Sequence, residues 1–302
     1  MTPQVLVDGL INGSLIGLGA VGVTLTYSIL KFANFAHGEF VAVGAYAALP
    51  VSAFVSWLVI GAGEPLGPFS ISPALILATP VAMALTAGFA LLLDWALFSR
   101  LRGRAEPISL VMASFGASLA IRAALEFAFT SRPAYFSRDL QIAAPLGFGL
   151  KATPNQFAML ALALALTAGV HLLLTRTQFG REMRAVSENA ALARVAGVDV
   201  DRTIRYVWAL GGALAAAAGV MIGLLVQIRP FLGFDLLLPL FAAAILGGIG
   251  SVPGAFAGAL IVGLGEALTV DLFGAQWRAA VAFLVLIAVL LIRPGGLAGR
   301  AG

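Results

Sequence analysis

Charged residues punctuate this chain between long apolar runs. Uncharged stretches cover residues 9–30, 40–63, 65–93, 107–121, 152–175, 206–228, 236–265 and 279–292. A helix needs about 20 apolar residues to cross the hydrocarbon of a bilayer, and most of these stretches reach that length. The fourth runs on to about Phe129 and carries Arg122 and Glu126 with it. The last is short, but Trp277, Arg278 and Arg293 can anchor its two ends by snorkelling. The alternation of barrel strands is absent. The pattern predicts an all-α polytopic membrane protein with about eight transmembrane helices.

The stretch 236–265 does not fit this rule. It is too long for one straight crossing and too short for two full ones. Its middle reads Gly247-Gly248-Ile249-Gly250-Ser251-Val252-Pro253-Gly254, a density of glycine and proline that breaks helices. We expect two short helices joined by a re-entrant turn at membrane depth, where irregular backbone must be buried in protein or line a wet cavity.

Composition strengthens the membrane reading. Apolar residues make up 61% of the 302 positions and charged residues 11%, against roughly 45–50% and 25% in soluble domains. Fourteen acids and eighteen bases cannot cover a soluble exterior of this size. The first stretch is no signal peptide, because it lacks a basic start and is too long. The net charge of +4 does not point to nucleic acid, since the arginines sit between apolar spans without a basic stripe. With no cysteine and only two histidines, the chain offers no thiolate site and no metal-binding spacing.

Arginine placement orients the chain. Arg100, Arg102 and Arg104 share one loop, and Arg176, Arg181, Arg184, Arg194, Arg202 and Arg205 share another, two crossings later. Both loops are expected to be cytoplasmic. Counting outward, with 236–265 as a hairpin, puts the N-terminus outside and the C-terminus inside. Lys31, Arg293 and Arg300 then join the inner side, while Arg132, Arg138, Lys151, Arg229 and Arg278 face out. No linker or repeat divides the chain, so residues 1–302 form one transmembrane domain with a cytoplasmic loop at 176–205.

Several patterns have a structural reading. Gly9, Gly13 and Gly17; Gly211, Ala215, Gly219 and Gly223; and Gly254 and Gly258 make small-residue faces for close helix packing. The run from Gly17 to Gly22 has the form GxGxxG but no preceding strand, so it binds no dinucleotide. Neither lysine follows a glycine, so there is no GxxxxGK[ST] nucleotide loop. Arg122 and Glu126, four apart, are expected to pair on one helix face. Asp94 and Glu266 are expected to reach the headgroups from span ends. Within 180–197, Met183, Val186, Ala190 and Ala193 share a helix face while Arg181, Arg184, Glu188 and Arg194 lie elsewhere. Such a helix suits docking on a cytoplasmic partner, with Val186 and Ala190 as apolar anchors and Arg184 and Glu188 at the rim.

Four segments together resemble the LivH-type permeases of branched-chain amino-acid ABC importers. They are Asn34-Phe35-Ala36-His37-Gly38-Glu39-Phe40 with Gly44-Ala45-Tyr46; Phe179-Gly180-Arg181-Glu182-Met183-Arg184-Ala185-Val186-Ser187-Glu188-Asn189; Gly233-Phe234-Asp235 followed by Leu246 to Gly254; and Arg293-Pro294-Gly295-Gly296-Leu297. The resemblance implies alternating access driven by two cytoplasmic ATPase subunits, which bind the ATP. It also implies a second, related permease and a periplasmic or lipid-anchored binding protein, in a bacterial inner membrane. It makes Arg181, Arg184, Val186, Glu188 and Ala190 the candidates for coupling to the ATPase, and Asn34, His37, Glu39, Gly247, Gly248 and Ser251 those for the translocation path. His37 has a second reading, satisfying backbone groups where a helix stops. Related permeases carry urea or short amides, which remains an alternative. An ion-coupled carrier would place more ionisable groups in its spans. An enzyme would need a clustered acid, base, nucleophile or metal set, and none is visible.

Overall fold

A computed structural model describes residues 3–103, 106–137, 141–147, 150–293 and 295–298. Arg104, Arg138, Pro294 and Arg300, which entered the charge pattern and the closing motif, lie outside the described residues. The chain order is α1 (Gln4–Leu30), α2 (Ala36–Leu58), α3 (Pro73–Leu93) continued by a π-turn (Asp94–Phe98) and the single turn α4 (Ser99–Leu101), then α5 (Pro107–Phe129). A small antiparallel hairpin, β1 (Ala144–Gly147) with β2 (Leu150–Ala152), precedes α6 (Pro154–Arg176). There follow α7 (Gln178–Glu188), α8 (Ala190–Val195), α9 (Val200–Leu225), α10 (Leu232–Gly247), α11 (Val252–Phe273) and α12 (Arg278–Ile292). Among the described residues, eight helices are long and apolar enough to cross a membrane, and α10 is a shorter apolar helix beside them.

Local chemistry sets the helix starts. Ser72, Thr153, Thr177, Asn189, Asp199 and Ser251 each stand at an N-cap and accept a backbone N–H from the first turn. Thr153 and Gln156 form a reciprocal capping box.

The glycine faces account for the packing at the centre. Helix α1 lies along α11, and a Cβ at Gly9 would come within 2.8 Å of the Leu264 Cα. At Gly13 it would come within 2.7 Å of the Leu260 Cα. Helix α9 meets α1 at Gly211, near Gly22 and Thr26, and meets α2 at Gly219, where the Val41 carbonyl fills the space a side chain would need. Gly254 and Gly258 of α11 take the backbone of α10 at Gly247 and Ala243. Helices α1 and α9 are therefore mostly buried within the protein, while α12 is almost wholly exposed along its apolar length.

The stretch 236–265 is broken where its glycines fall, but not into two short helices. Helix α11 has 22 residues, long enough to cross. The intervening turn packs beside the last turns of α1. Gly250 donates its N–H to Thr24 Oγ1 at 2.7 Å and packs on Ser28, within about two turns of the end of α1. Gly248 and Gly250 take φ of 96° and 91°, which costs glycine little and other residues much.

Candidate functional site

The motif 34–39 builds the start of α2. Asn34 Oδ1 accepts the Ala36 N–H at 3.1 Å, and the Asn34 carbonyl accepts the N–H of His37. The side chains of Asn34, His37 and Glu39 are all buried. His37 lies against Gly22 and Gly211, with its ring edge-on to Phe40 at 5.7 Å between centroids. Next to it, Gly38 crosses Gly233 at the start of α10, backbone on backbone. A Cβ at either glycine would overlap the other's carbonyl oxygen. The close crossing brings the first turns of α2 and α10 together.

Glu39 emerges at this crossing. Its side chain is 1% exposed. Its Oε1 accepts from Ser118 Oγ at 3.0 Å and from Arg122 Nη2 at 3.2 Å, both on α5. The Arg122 guanidinium stands over the rings of Phe231 and Phe234, 5.0 and 4.4 Å from their centroids. Arg122 therefore pairs across helices with Glu39, and not with Glu126 one turn along its own helix, which is exposed. Spacing along α5 puts Glu126 within reach, but only the α2–α5 contact supplies a buried partner, and a buried cation needs its counter-charge more than an exposed one does. Asp94 and Glu266, expected at the headgroups, are also buried. Asp94 is bonded to Arg102, and Glu266 accepts from Arg278 Nε at 2.7 Å.

Phe234 also lines a cavity of about 1400 Å³. Its lining includes the apolar Phe35, Phe115 and Phe241 and the polar or charged Asp8, Asn12, Gln227, Arg229, Asp235 and Asp271. Phe35 meets Phe115 edge-on at 6.0 Å and Phe241 at 5.8 Å. A volume of this size exceeds the roughly 300–1,000 Å³ that holds drug-sized ligands.

Gly247, Gly248 and Ser251 lie elsewhere. Ser251 caps α11, Gly247 packs on Gly254, and Gly248 turns the chain. None of the three lines the large cavity. Ser251 instead lines a cavity of about 270 Å³ with Ser28 and Gly250, against Gly180, Met183, Arg184 and Ser187 of α7. The turn therefore faces α7 across this cavity. The closing motif has a role here too. Leu297 and Ala298 donate their N–H groups to the Leu246 and Gly247 carbonyls at 2.7 and 3.1 Å, supplying partners that the end of α10 lacks. Gly296 has φ of 71°, and a Cβ there would come within 2.6 Å of the Gly248 Cα. Gly296→Ala is expected to lift this segment and cost about 1–3 kcal/mol, through strain and unpaired carbonyls. A lowered unfolding temperature of the purified protein would register it, and an unchanged one would show that the closure adds nothing.

In the coupling segment, Gly180, Met183 and Val186 form the buried face of α7. Val186 is 3% exposed and packs in the chain's own core. It is therefore not the partner-facing anchor that its place on an apolar face predicted. Short amphipathic helices turn that face to whatever is nearest, and here α6 is nearest. Arg184 stays exposed but is tied to α6, its Nη1 donating to the Leu174 carbonyl at 2.6 Å. Arg181, Glu188 and Ala190 are exposed. The outward apolar residues are Leu192 and Val195 of α8, at 66% and 86% exposure.

Comparison with known proteins decides the family. The family described as "Branched-chain amino acid transport system / permease component" matches residues 5–290. The chain belongs to this permease family. It is 32% identical to the high-affinity branched-chain amino acid transport system permease protein BraD of Pseudomonas aeruginosa, covering 98% of this chain and 95% of that protein. Its identity to LivH of Escherichia coli, another high-affinity branched-chain amino acid transport system permease protein, is 30% over the same shares. A probable branched-chain amino acid transport permease protein, LivH of Methanocaldococcus jannaschii, is also 30% identical, covering 98% and 92%.

Within this permease, the structure brings Asn34, His37 and Glu39 to one buried crossing and leaves Gly247, Gly248 and Ser251 at a different place. Sequence reasoning missed Ser118 and Phe231, had Phe234 only as part of a motif with no role, and gave Arg122 the wrong partner. Their signals were faint: a serine one turn before an in-span arginine, and two phenylalanines flanking a helix start.

Proposed function

We propose that this permease is the membrane subunit of an ATP-driven importer that passes branched-chain or similar small amino acids by alternating access. The observation that carries this reading is the end-to-end similarity to permeases named for branched-chain amino acid transport. Those names favour such amino acids over urea or short amides. Two cytoplasmic ATPase subunits bind and hydrolyse the ATP, since neither lysine of this chain follows a glycine as a GxxxxGK[ST] loop requires. A second, related permease completes the path, and a periplasmic or lipid-anchored binding protein delivers substrate. The protein sits in a bacterial inner membrane with its N-terminus outside and its C-terminus cytoplasmic. Lys31, Arg102 and the arginines of α7 then share the inner side, as the bias of basic residues toward the cytoplasm requires.

The segment α7–α8 couples the permease to the ATPase. Outside the apolar spans, an exposed Leu192 and Val195 mark a contact surface. Arg181, Glu188 and Ala190 rim it, and Arg184 and Val186 hold α7 in place. ATP-driven closure of the ATPases pushes α7, which bears on the Gly250–Ser251 turn across the small cavity. The test is co-purification with the ATPase subunits and ATP-dependent leucine uptake in proteoliposomes. Leu192→Asp with Val195→Asp should weaken ATPase capture about 30-fold, the loss of one hot spot of about 2 kcal/mol. Full capture by that variant would exclude α8 as the contact. Uptake that needs no ATP would exclude the importer reading.

A further inference from the structure

Glu39 and Arg122 are each only half satisfied. Glu39 Oε1 takes both Ser118 and Arg122, while Glu39 Oε2 and Arg122 Nε are buried without a hydrogen-bond partner among the described residues. Buried polar groups are nearly always paired, and an unpaired one keeps its desolvation penalty. A pair serving only to hold α2 against α5 gains nothing from these open edges. The open acceptor is anionic and the open donor cationic, and they belong to adjacent groups. An ammonium carried one atom from a carboxylate, as in an α-amino acid, is the complement of such a pair. The surroundings suit the rest of that molecule, because Phe234 touches Arg122 and also lines the cavity walled by Phe35, Phe115 and Phe241.

We propose that Glu39 and Arg122 form the subsite where a passing zwitterion docks, its ammonium on Glu39 Oε2, its carboxylate on Arg122 Nε–H and its apolar side chain among the phenylalanines. This rests on the function proposed above and names the groups that recognise the substrate. Pair and ligand are each neutral overall, so no net charge enters the low-dielectric span. The ligand exchanges one set of ionic contacts for another, so binding is weak, as passage requires. Neither Glu39 nor Arg122 lines the cavity itself, whereas Phe234 both lines it and touches the guanidinium, so a shift of that ring or of α10 is what opens the pair to the ligand.

The chain has no cysteine, so Leu238→Cys, one turn past Phe234 on the cavity wall, gives a single labelling position on it in the full complex. The probes are leucine, leucinamide, which lacks the carboxylate, and 4-methylpentanoate, which lacks the ammonium. Each is added before a maleimide at about 50 mM, enough to fill most of a site whose Kd is about 10 mM or tighter. Leucine should slow labelling at least about 5-fold, and the other two should not, because each leaves one charge of the pair unmatched. Equal protection by all three, or none by leucine, would overturn the subsite. Adding Glu39→Gln to Leu238→Cys should abolish protection by leucine in complexes that still assemble, and retained protection would also overturn it. The three-probe series decides the matter if that variant does not assemble. ATP-dependent leucine uptake by the unmodified complex is measured in parallel. Normal uptake without protection sinks the subsite alone, and protection without uptake sinks the proposed function.

Discussion

Gly219→Leu is expected to leave no assembled transporter. A Cβ at this position would fall on the Val41 carbonyl and stand 2.9 Å from its carbon. Backbone cannot rotate aside as a side chain can, so α2 and α9 must separate or the residue must strain. The opposite side of the same contact is equally closed, because Gly44 packs on the Ala216 backbone. Overpacking costs about 1–3 kcal/mol when neighbours can adjust, and more when they cannot. Both helices are central, so their separation propagates to α1 and α3. Size-exclusion of the detergent-extracted protein should show loss of the monodisperse species, and uptake should fall to background. Gly219→Ala should be weaker but still visible. A normal elution profile for Gly219→Leu would mean that this face of α9 does not pack as described.

Arg122→Ala should be nearly as damaging, for a different reason. It leaves Glu39, 1% exposed, without its counter-charge and strips Phe231 and Phe234 of the guanidinium they flank. Breaking a buried ion pair on one side costs about 3–5 kcal/mol, because the remaining charge stays buried. Glu39→Gln in the same chain removes that charge and should recover most of the stability. It should not recover transport if the pair also meets substrate. Thermal unfolding of single and double variants separates the two effects. A single Arg122→Ala variant as stable as the natural protein would show that Glu39 has another partner, or escapes to water.

The elements were largely legible from the chain. Apolar runs predicted α1, α2, α3, α5, α6, α9 and α12, because each long helix must present apolar atoms to lipid or to a neighbour along its whole length. The break near Gly247–Gly254 was legible for a similarly local reason: glycine and proline alter the backbone wherever they stand. The coupling helix was legible as an amphipathic insertion between spans. The glycine faces were legible as packing faces, although not which helices they would meet.

Pairings between distant residues were not legible. Arg122 was matched to Glu126 because helical spacing is the one distance a sequence supplies, whereas Glu39 lies 83 positions away and is brought near by the crossing at Gly38 and Gly233. Val186 belonged to an apolar face, but sequence does not tell an inward face from an outward one when both a partner and the rest of the chain are available. The closing motif could not be read as a cap for α10, since its donors and acceptors lie about fifty residues apart along the chain. What the chain determined by itself was local and periodic: which segments are helices, how long they are, where they break, and that their surroundings are mostly apolar. What only the tertiary structure decided was which buried charge finds which partner, which face of α7 turns inward, and where the open edge of the Glu39–Arg122 pair lies. Hydrophobic burial is nearly non-directional and leaves its record in composition and period. Ion pairs and hydrogen bonds are set by distances of a few ångströms between helices, and no periodicity along one chain encodes those.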